Sequence, residues 1–193
     1  MRSLTIALAL LAAPLARADE LSTLLEVGPL VRMETHKDGK LREALAIADV
    51  NASADEVWRV LNDFEAYRSF MPRMKELKVS KQGNDSLLEI TLDTPFMATR
   101  YTNRMTPDID KRVLRVANVS GDLSGTRFTW RVVALGDRAR IYHSGIVKNF
   151  SSVAESMEDE SQSITIGVNV ASLLQAIKAI KDRTESIKGP LKK

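Results

Sequence analysis

The stretch from Ser163 to Glu185 sets the tightest limit on what this chain can fold into. Ile166, Val170, Leu173, Leu174, Ile177 and Ile180 recur there at three- and four-residue spacing. Lys178, Lys181, Asp182 and Arg183 fall mostly on the opposite side. That period predicts a long amphipathic helix with a wide apolar stripe. Almost everything before it reads as strand. A sheet with an exposed apolar face needs a cover, and this late helix is the candidate.

The strands are marked by a two-residue period and by regular turn signals. Leu41 to Val50 places Leu45 and Ile47 on one face and Ala44, Ala46, Ala48 and Val50 on the other. Small residues on one face let another layer approach closely. Val31 to Thr35 pairs with this strand across a turn at Lys37-Asp38-Gly39-Lys40. Ser53 and Glu56 then make a capping box, which starts a helix carrying Val57, Trp58, Val60 and Leu61. Asn62-Asp63 breaks it. Phe64, Tyr67, Phe70 and Met71 continue as a second short helix that Pro72 ends. Six alternating segments follow: Met74 to Ser80, Ser86 to Asp93, Phe96 to Met105, Lys111 to Ser120, Thr126 to Leu135 and Arg138 to Lys148. Turns fall at Gly83-Asn84, Thr94-Pro95, Thr106-Pro107-Asp108, Gly121 to Gly125 and Gly136-Asp137. Asn149 to Ser161 reads as a polar loop, acidic at Glu155, Glu158, Asp159 and Glu160. The sum is an α+β domain: a curved antiparallel sheet of six to seven strands wrapped on a long C-terminal helix.

The N-terminus has the parts of a secretory signal. Met1-Arg2 opens it, Leu4 to Leu15 is almost wholly apolar, and Ala16-Arg17-Ala18 forms the cleavage site. The apolar run is shorter than the roughly 20 residues a membrane span needs. The expected organisation is a signal peptide over 1–18, a leader over 19–40, the domain over 41–187 and a basic tail over 188–193. The expected location is the periplasm or the exterior.

Composition removes several function classes. The 193 residues include no cysteine, so disulfides, thiolate metal sites and cysteine nucleophiles are excluded. The formal charge of +3 falls to +1 once Arg2 and Arg17 leave with the signal. Neither this balance nor an exported location suits nucleic-acid binding. No His, Asp or Glu spacing suggests a metal site, and no motif implies a cofactor.

One run of residues resembles a known family. Val57, Trp58, Val60, Leu61, Asp63, Phe64, Tyr67, Phe70 and Pro72 follow a short strand in the pattern of the START-like (SRPBCC) superfamily. The closest likeness is to its polyketide cyclase/dehydrase and coenzyme Q-binding START-domain group. Gly121-Asp122-Leu123 before Phe128-Thr129-Trp130, and the final helix, extend the match over roughly 41–185. The resemblance implies the helix-grip fold of birch-pollen-allergen-like proteins. It also implies a hydrophobic pocket under the long helix for lipids, quinones or polyketides. Some members of the family are cyclases or dehydratases, and many only bind or carry.

On that basis the expected ligand-binding residues are Phe70, Phe96, Tyr101, Phe128, Trp130, Tyr142, Leu173, Ile177 and Ile180. Phe70 and Met71 are the expected cavity mouth. His143 is the only strand histidine, and a regular strand points Tyr142 and Ser144 away from it, so no dyad forms with either. Arg100, Arg104 and Arg131 are expected to face outward. The expected function is an exported, monomeric binding or transfer protein for an apolar small molecule or lipid, without catalytic residues, touching membranes only in passing. The alternative is a cyclase/dehydratase-type enzyme using Arg, Tyr or His143 in the same cavity.

Overall fold

The capping box at Ser53 forms as its spacing predicts. The Ser53 Oγ accepts from the Glu56 backbone N–H at 3.3 Å, and the Glu56 carboxylate accepts from the Ser53 N–H at 2.7 Å. This computed structural model describes residues 20–93, 98–147 and 160–188. The capped helix α2 (Ala54–Asn62) follows a short helix α1 (20–27), strand β1 (Leu30–Thr35) and strand β2 (Leu41–Val50). A 3-10 turn (Phe64–Ala66) and helix α3 (Tyr67–Phe70) lead to β3 (Met74–Gln82), β4 (Asp85–Asp93) and β5 (Ala98–Asp108). Then come β6 (Val113–Gly121), β7 (Arg127–Leu135), β8 (Arg138–Ile146) and the long helix α4 (Glu160–Lys188).

The strands form one curved, wholly antiparallel sheet in the order β1-β2-β8-β7-β6-β5-β4-β3. It has eight strands where the sequence suggested six to seven, because β1 pairs along β2 from Leu30↔Ile47 to Thr35↔Leu41. The turn expected at Thr106-Pro107-Asp108 lies further on. Pro107 sits inside β5 opposite Leu114, and the chain reverses at 109–112. Arg112 takes the positive φ of 47° there that no glycine is present to supply. The acidic segment expected as a loop lies mostly outside the described residues, except that Glu160 and Ser161 already belong to α4.

The small face of β2 does what its composition suggests. Ala44, Ala46, Ala48 and Val50 are buried, and α4 packs chiefly against this strand. The most buried positions of α4 are Asn169, Leu173, Ile177, Ile180 and Thr184. Ile166, Val170 and Leu174 flank that line and are only half-buried. The two polar members are satisfied. Asn169 Oδ1 accepts from the Val147 N–H at 2.6 Å, which ties the helix to the end of β8, and Thr184 Oγ1 donates to the Ile180 carbonyl at 2.7 Å.

The outer face of β2 and β8 is also covered. Leu25 of α1 is buried, and Ser22 Oγ accepts from Arg140 at 3.2 Å. Beneath α1, Arg140 meets Asp49 in a two-pronged contact: Nε to Oδ1 at 2.6 Å and Nη2 to Oδ2 at 3.0 Å. Both side chains are more than nine-tenths buried. This paired carboxylate holds the Arg140 guanidinium's proton even more firmly than usual, against the opposing effect of burial.

Candidate functional site

Because α4 seats on β2, β8 and α2, it leaves the concave side of β4, β5 and β6 without helix cover. The apolar side chains there face a cavity of about 420 Å³. Its strand wall is made by alternate residues of each strand: Leu88, Ile90 and Leu92 of β4, Thr99, Tyr101, Asn103 and Met105 of β5, Val116 of β6, Phe128 and Trp130 of β7, and His143 of β8. Its helix wall is Val168, Ala171, Ser172, Gln175 and Ala176. Those small or short side chains leave space where leucines would fill it. Met71, Pro72 and Arg73 form a rim with the exposed Ala171 and Gln175. Arg73 stands there at a positive φ of 61°, a strained backbone state for a residue with a Cβ. Its carbonyl accepts from the Asp93 N–H at 2.9 Å, which fixes the turn against β4.

Aromatic packing sets the ends of the cavity. Tyr67 stands edge-on between Phe64 and Phe70, with centroids at 5.6 and 5.5 Å. Its hydroxyl donates to the Leu61 carbonyl at 2.5 Å. Burial, and then the nearby Asp63 carboxylate, push its pKa up beyond any physiological range. At the other end, His143 lies flat on its cross-strand partner Trp130, with centroids 3.6 Å apart and planes 11° apart. Phe128 leans on the same imidazole at 5.3 Å. Gly145 makes room for Phe128. A Cβ there would stand 2.2 Å from the Arg127 carbonyl oxygen and 2.5 Å from Phe128 Cδ1, and the φ of 154° also disfavours one. Gly145→Ala is therefore expected to lower stability by about 2–3 kcal/mol, read as the midpoint of urea unfolding. A loss within error of zero would mean that the β7 backbone yields freely.

Among the described residues, titratable groups on the lining are few: Tyr67, Arg73, Tyr101 and His143. Burial pushes the Tyr101 hydroxyl's pKa up, so it stays protonated. Burial also lowers the His143 pKa to about 3, against a smaller upward pull from the Thr129 backbone. Both rings are thus neutral near pH 7. They lie on strands three apart in the sheet and out of line along those strands, and no hydrogen bond joins them. Among the described residues the lining holds no carboxylate, and no group of His, Asp and Glu is placed to hold a metal ion.

Residues 50–170 match the family described as polyketide cyclase / dehydrase and lipid transport. The chain belongs to that family. As a member of it, and so of the START-like superfamily, it is similar in fold to several solved structures. One is the Zhui aromatase/cyclase from Streptomyces sp. R1128, at 18% identity and a TM-score of 0.65, over 78% of this chain and 98% of that one. Another is a STAR-related lipid transfer protein fragment from Xanthomonas axonopodis, at 16% identity and 0.61, over 81% and 93%. A third is a START superfamily protein from Mycobacterium smegmatis, at 19% and 0.59, over 75% and 98%. At these identities the likeness speaks for the helix-grip fold and not for a ligand. No curated protein matches the sequence.

Within this family fold the residues expected at the site divide. Tyr101, Phe128 and Trp130 line the cavity. Tyr142 does not: it sits one residue from the inward His143, so it faces the outer side of the sheet, beside Arg140. Phe70 lies behind Tyr67 and under the Arg183 guanidinium, 5.8 Å from the ring centroid, so the mouth falls to Met71 and its neighbours. Leu173, Ile177 and Ile180 are fully buried in the core between α4, β2 and α2 rather than in the cavity wall. Phe96 lies outside the described residues. Arg100, Arg104 and Arg131 are exposed, as expected. Asn103, Met105 and the small stripe of α4 were not anticipated as lining, and His143 was placed in the cavity only by the alternative reading as an enzyme. The small stripe was visible in the sequence as the side of the helix lacking large side chains.

Proposed function

We propose that this chain is an exported, monomeric protein that binds or transfers an apolar small molecule or lipid, held between the sheet and α4. The observation that carries this reading is the cavity itself. Its volume falls within the usual range for small-molecule sites, and its wall is mostly apolar with a few isolated polar groups. Chemistry on a bound substrate needs a positioned acid, base or nucleophile near its working pKa. The lining offers two tyrosines held protonated, Tyr67 bound to the Leu61 carbonyl and Tyr101, and a histidine held neutral that bonds to neither. The chain meets membranes in passing in this reading, and no helix of the described residues is long and apolar enough to cross one.

The test has two arms. The intact chain, produced with its own N-terminus, is analysed by native mass spectrometry and titrated with the neutral fluorophore N-phenyl-1-naphthylamine. Export predicts a mature mass beginning at Asp19. Cavity binding predicts one saturable site that Ala176→Trp weakens at least tenfold, while thermal stability stays level or rises because a void is filled. A chain that emerges empty and takes up no fluorophore argues against the reading.

One observation favours a second reading, a cyclase/dehydratase-type enzyme: Tyr101 and His143 both face the same cavity. Turnover of an apolar substrate that is lost in Tyr101→Phe and His143→Ala would support it. It ranks second because an imidazole with a pKa near 3 is a weak base at neutral pH.

A further inference from the structure

His143 is a deeply buried polar ring on the cavity wall, at 4% exposure. Trp130 covers one of its faces and Phe128 leans against it, so the ring is held in place. Its Nδ1 is shut off from water and has no hydrogen-bond partner. The Thr129 backbone lies near enough to favour a proton on the ring, yet no hydrogen bond of good geometry reaches that nitrogen. The ring is part of the cavity wall, and a half-turn about Cβ–Cγ exchanges Nδ1 with a carbon. Buried polar atoms are nearly always paired, and an orphan needs an explanation. Here the remaining hydrogen-bonding capacity is either met by an occupant of the cavity or left unused.

The surroundings say what kind of occupant fits. Among the described residues no carboxylate lines the cavity, so a buried ammonium would find no counter-charge there. Among the described residues the only lining cation is Arg73, exposed on the rim, so a carboxylate or phosphate in the depth would also be unpaired. A neutral imidazole offers one donor and one acceptor, and a hydroxyl complements either. The rest of the nearby wall is Phe128, Trp130 and Met105, which suits hydrocarbon.

We propose that His143 is the polar recognition point of this cavity and selects a neutral, mostly hydrocarbon ligand that carries a hydroxyl group. This rests on the binding reading above and narrows it to a ligand class. Tyr142, on the outer face of the same strand and outside the cavity wall, serves as the control.

The experiment is calorimetric titration of the intact protein with naphthalene, 1-naphthol and 1-naphthoate. An indifferent apolar cavity would prefer naphthalene, because burying a lone hydroxyl is unfavourable. The proposal expects the reverse: 1-naphthol about tenfold tighter than naphthalene, with 1-naphthoate weakest. In His143→Phe, which keeps a flat ring against Trp130, the order of naphthol and naphthalene should invert. In Tyr142→Phe it should stay as in the wild type. Naphthalene binding as tightly as naphthol in the wild type overturns the proposal, as does an unchanged preference in His143→Phe. Naphthoate binding as well as naphthol overturns the requirement for neutrality. If none of the three binds, the cavity-binding reading itself fails. Should His143→Phe not fold, the wild type still decides. With only two histidines in the chain, the imidazole ¹⁵N signals of His143 must shift with naphthol and not with naphthalene, and a signal unmoved by naphthol overturns the proposal.

Discussion

Asp49→Ala is expected to destabilise the protein by about 3–5 kcal/mol, the largest loss from any single substitution considered. The carboxylate lies on the outer face of β2, opposite Arg140 in the β2–β8 register, and holds that guanidinium with two hydrogen bonds. Arg138 approaches the same carboxylate at 3.6 Å. Removing Asp49 leaves Arg140 buried without its counter-charge and with a second arginine near it. The backbone carbonyl of Asp49 also accepts from Lys181 of α4 at 2.7 Å, so this short stretch of β2 is held from both sides of the sheet. That backbone contact survives the substitution, which confines the loss to the ion pair. In urea titrations the midpoint should fall with little change in slope. The double variant Asp49→Leu, Arg140→Met should recover most of the loss, because the penalty comes from the orphaned charge. A single variant that loses less than about 1 kcal/mol would mean that water reaches Arg140 beneath α1.

The frame of the fold was legible because its signals are local. Ser53 and Glu56 satisfy helix-terminal N–H groups three residues apart, and the alanines of β2 state by their size that a helix comes close. The site was only partly legible, for a reason that is also physical. A cavity is made by side chains that fail to fill space, whereas sequence reading ranks apolar positions by how well they fill it. Leu173, Ile177 and Ile180 stand out by hydrophobicity and therefore occupy the tightest core. Val168, Ala171, Ser172 and Ala176 on the adjacent stripe are too small to close the gap to β5, and so become wall. A strand's period separates Tyr142 from His143 but does not say which of them faces inward. That is decided by β2 and β7 on either side, through the pairing of His143 with Trp130. Tyr101, Phe128 and Trp130 were found because large aromatics on an inward strand face reach a cavity whether or not they also pack.

Acid should unfold this protein earlier than its carboxylates alone would, and His143 should be the cause. In the unfolded chain its imidazole takes up a proton near pH 6.5. In the native cavity wall, burial delays that to about pH 3. Between those values the unfolded state binds one more proton than the folded state, so stability rises with pH across the window and is lost as pH falls through it. The slope is about 1.4 kcal/mol per pH unit, and above pH 6.5 this residue contributes no further change. From pH 7 to pH 5, before most carboxylates titrate, the loss should reach about 2 kcal/mol. Across the whole window it amounts to on the order of 5 kcal/mol. Denaturation midpoints at half-unit steps would measure it, with His143→Phe as the reference. That variant keeps a ring against Trp130 and removes the proton site, so its stability should be nearly flat from pH 7 to 5. The chain's other histidine, His36, is exposed in the β1–β2 turn and remains in both proteins, so it cancels in the comparison. A wild type that is equally flat would show that His143 takes up its proton in the folded state, with water or a polar group reaching the ring through the cavity. A slope shared by both proteins would place the acid sensitivity in another residue.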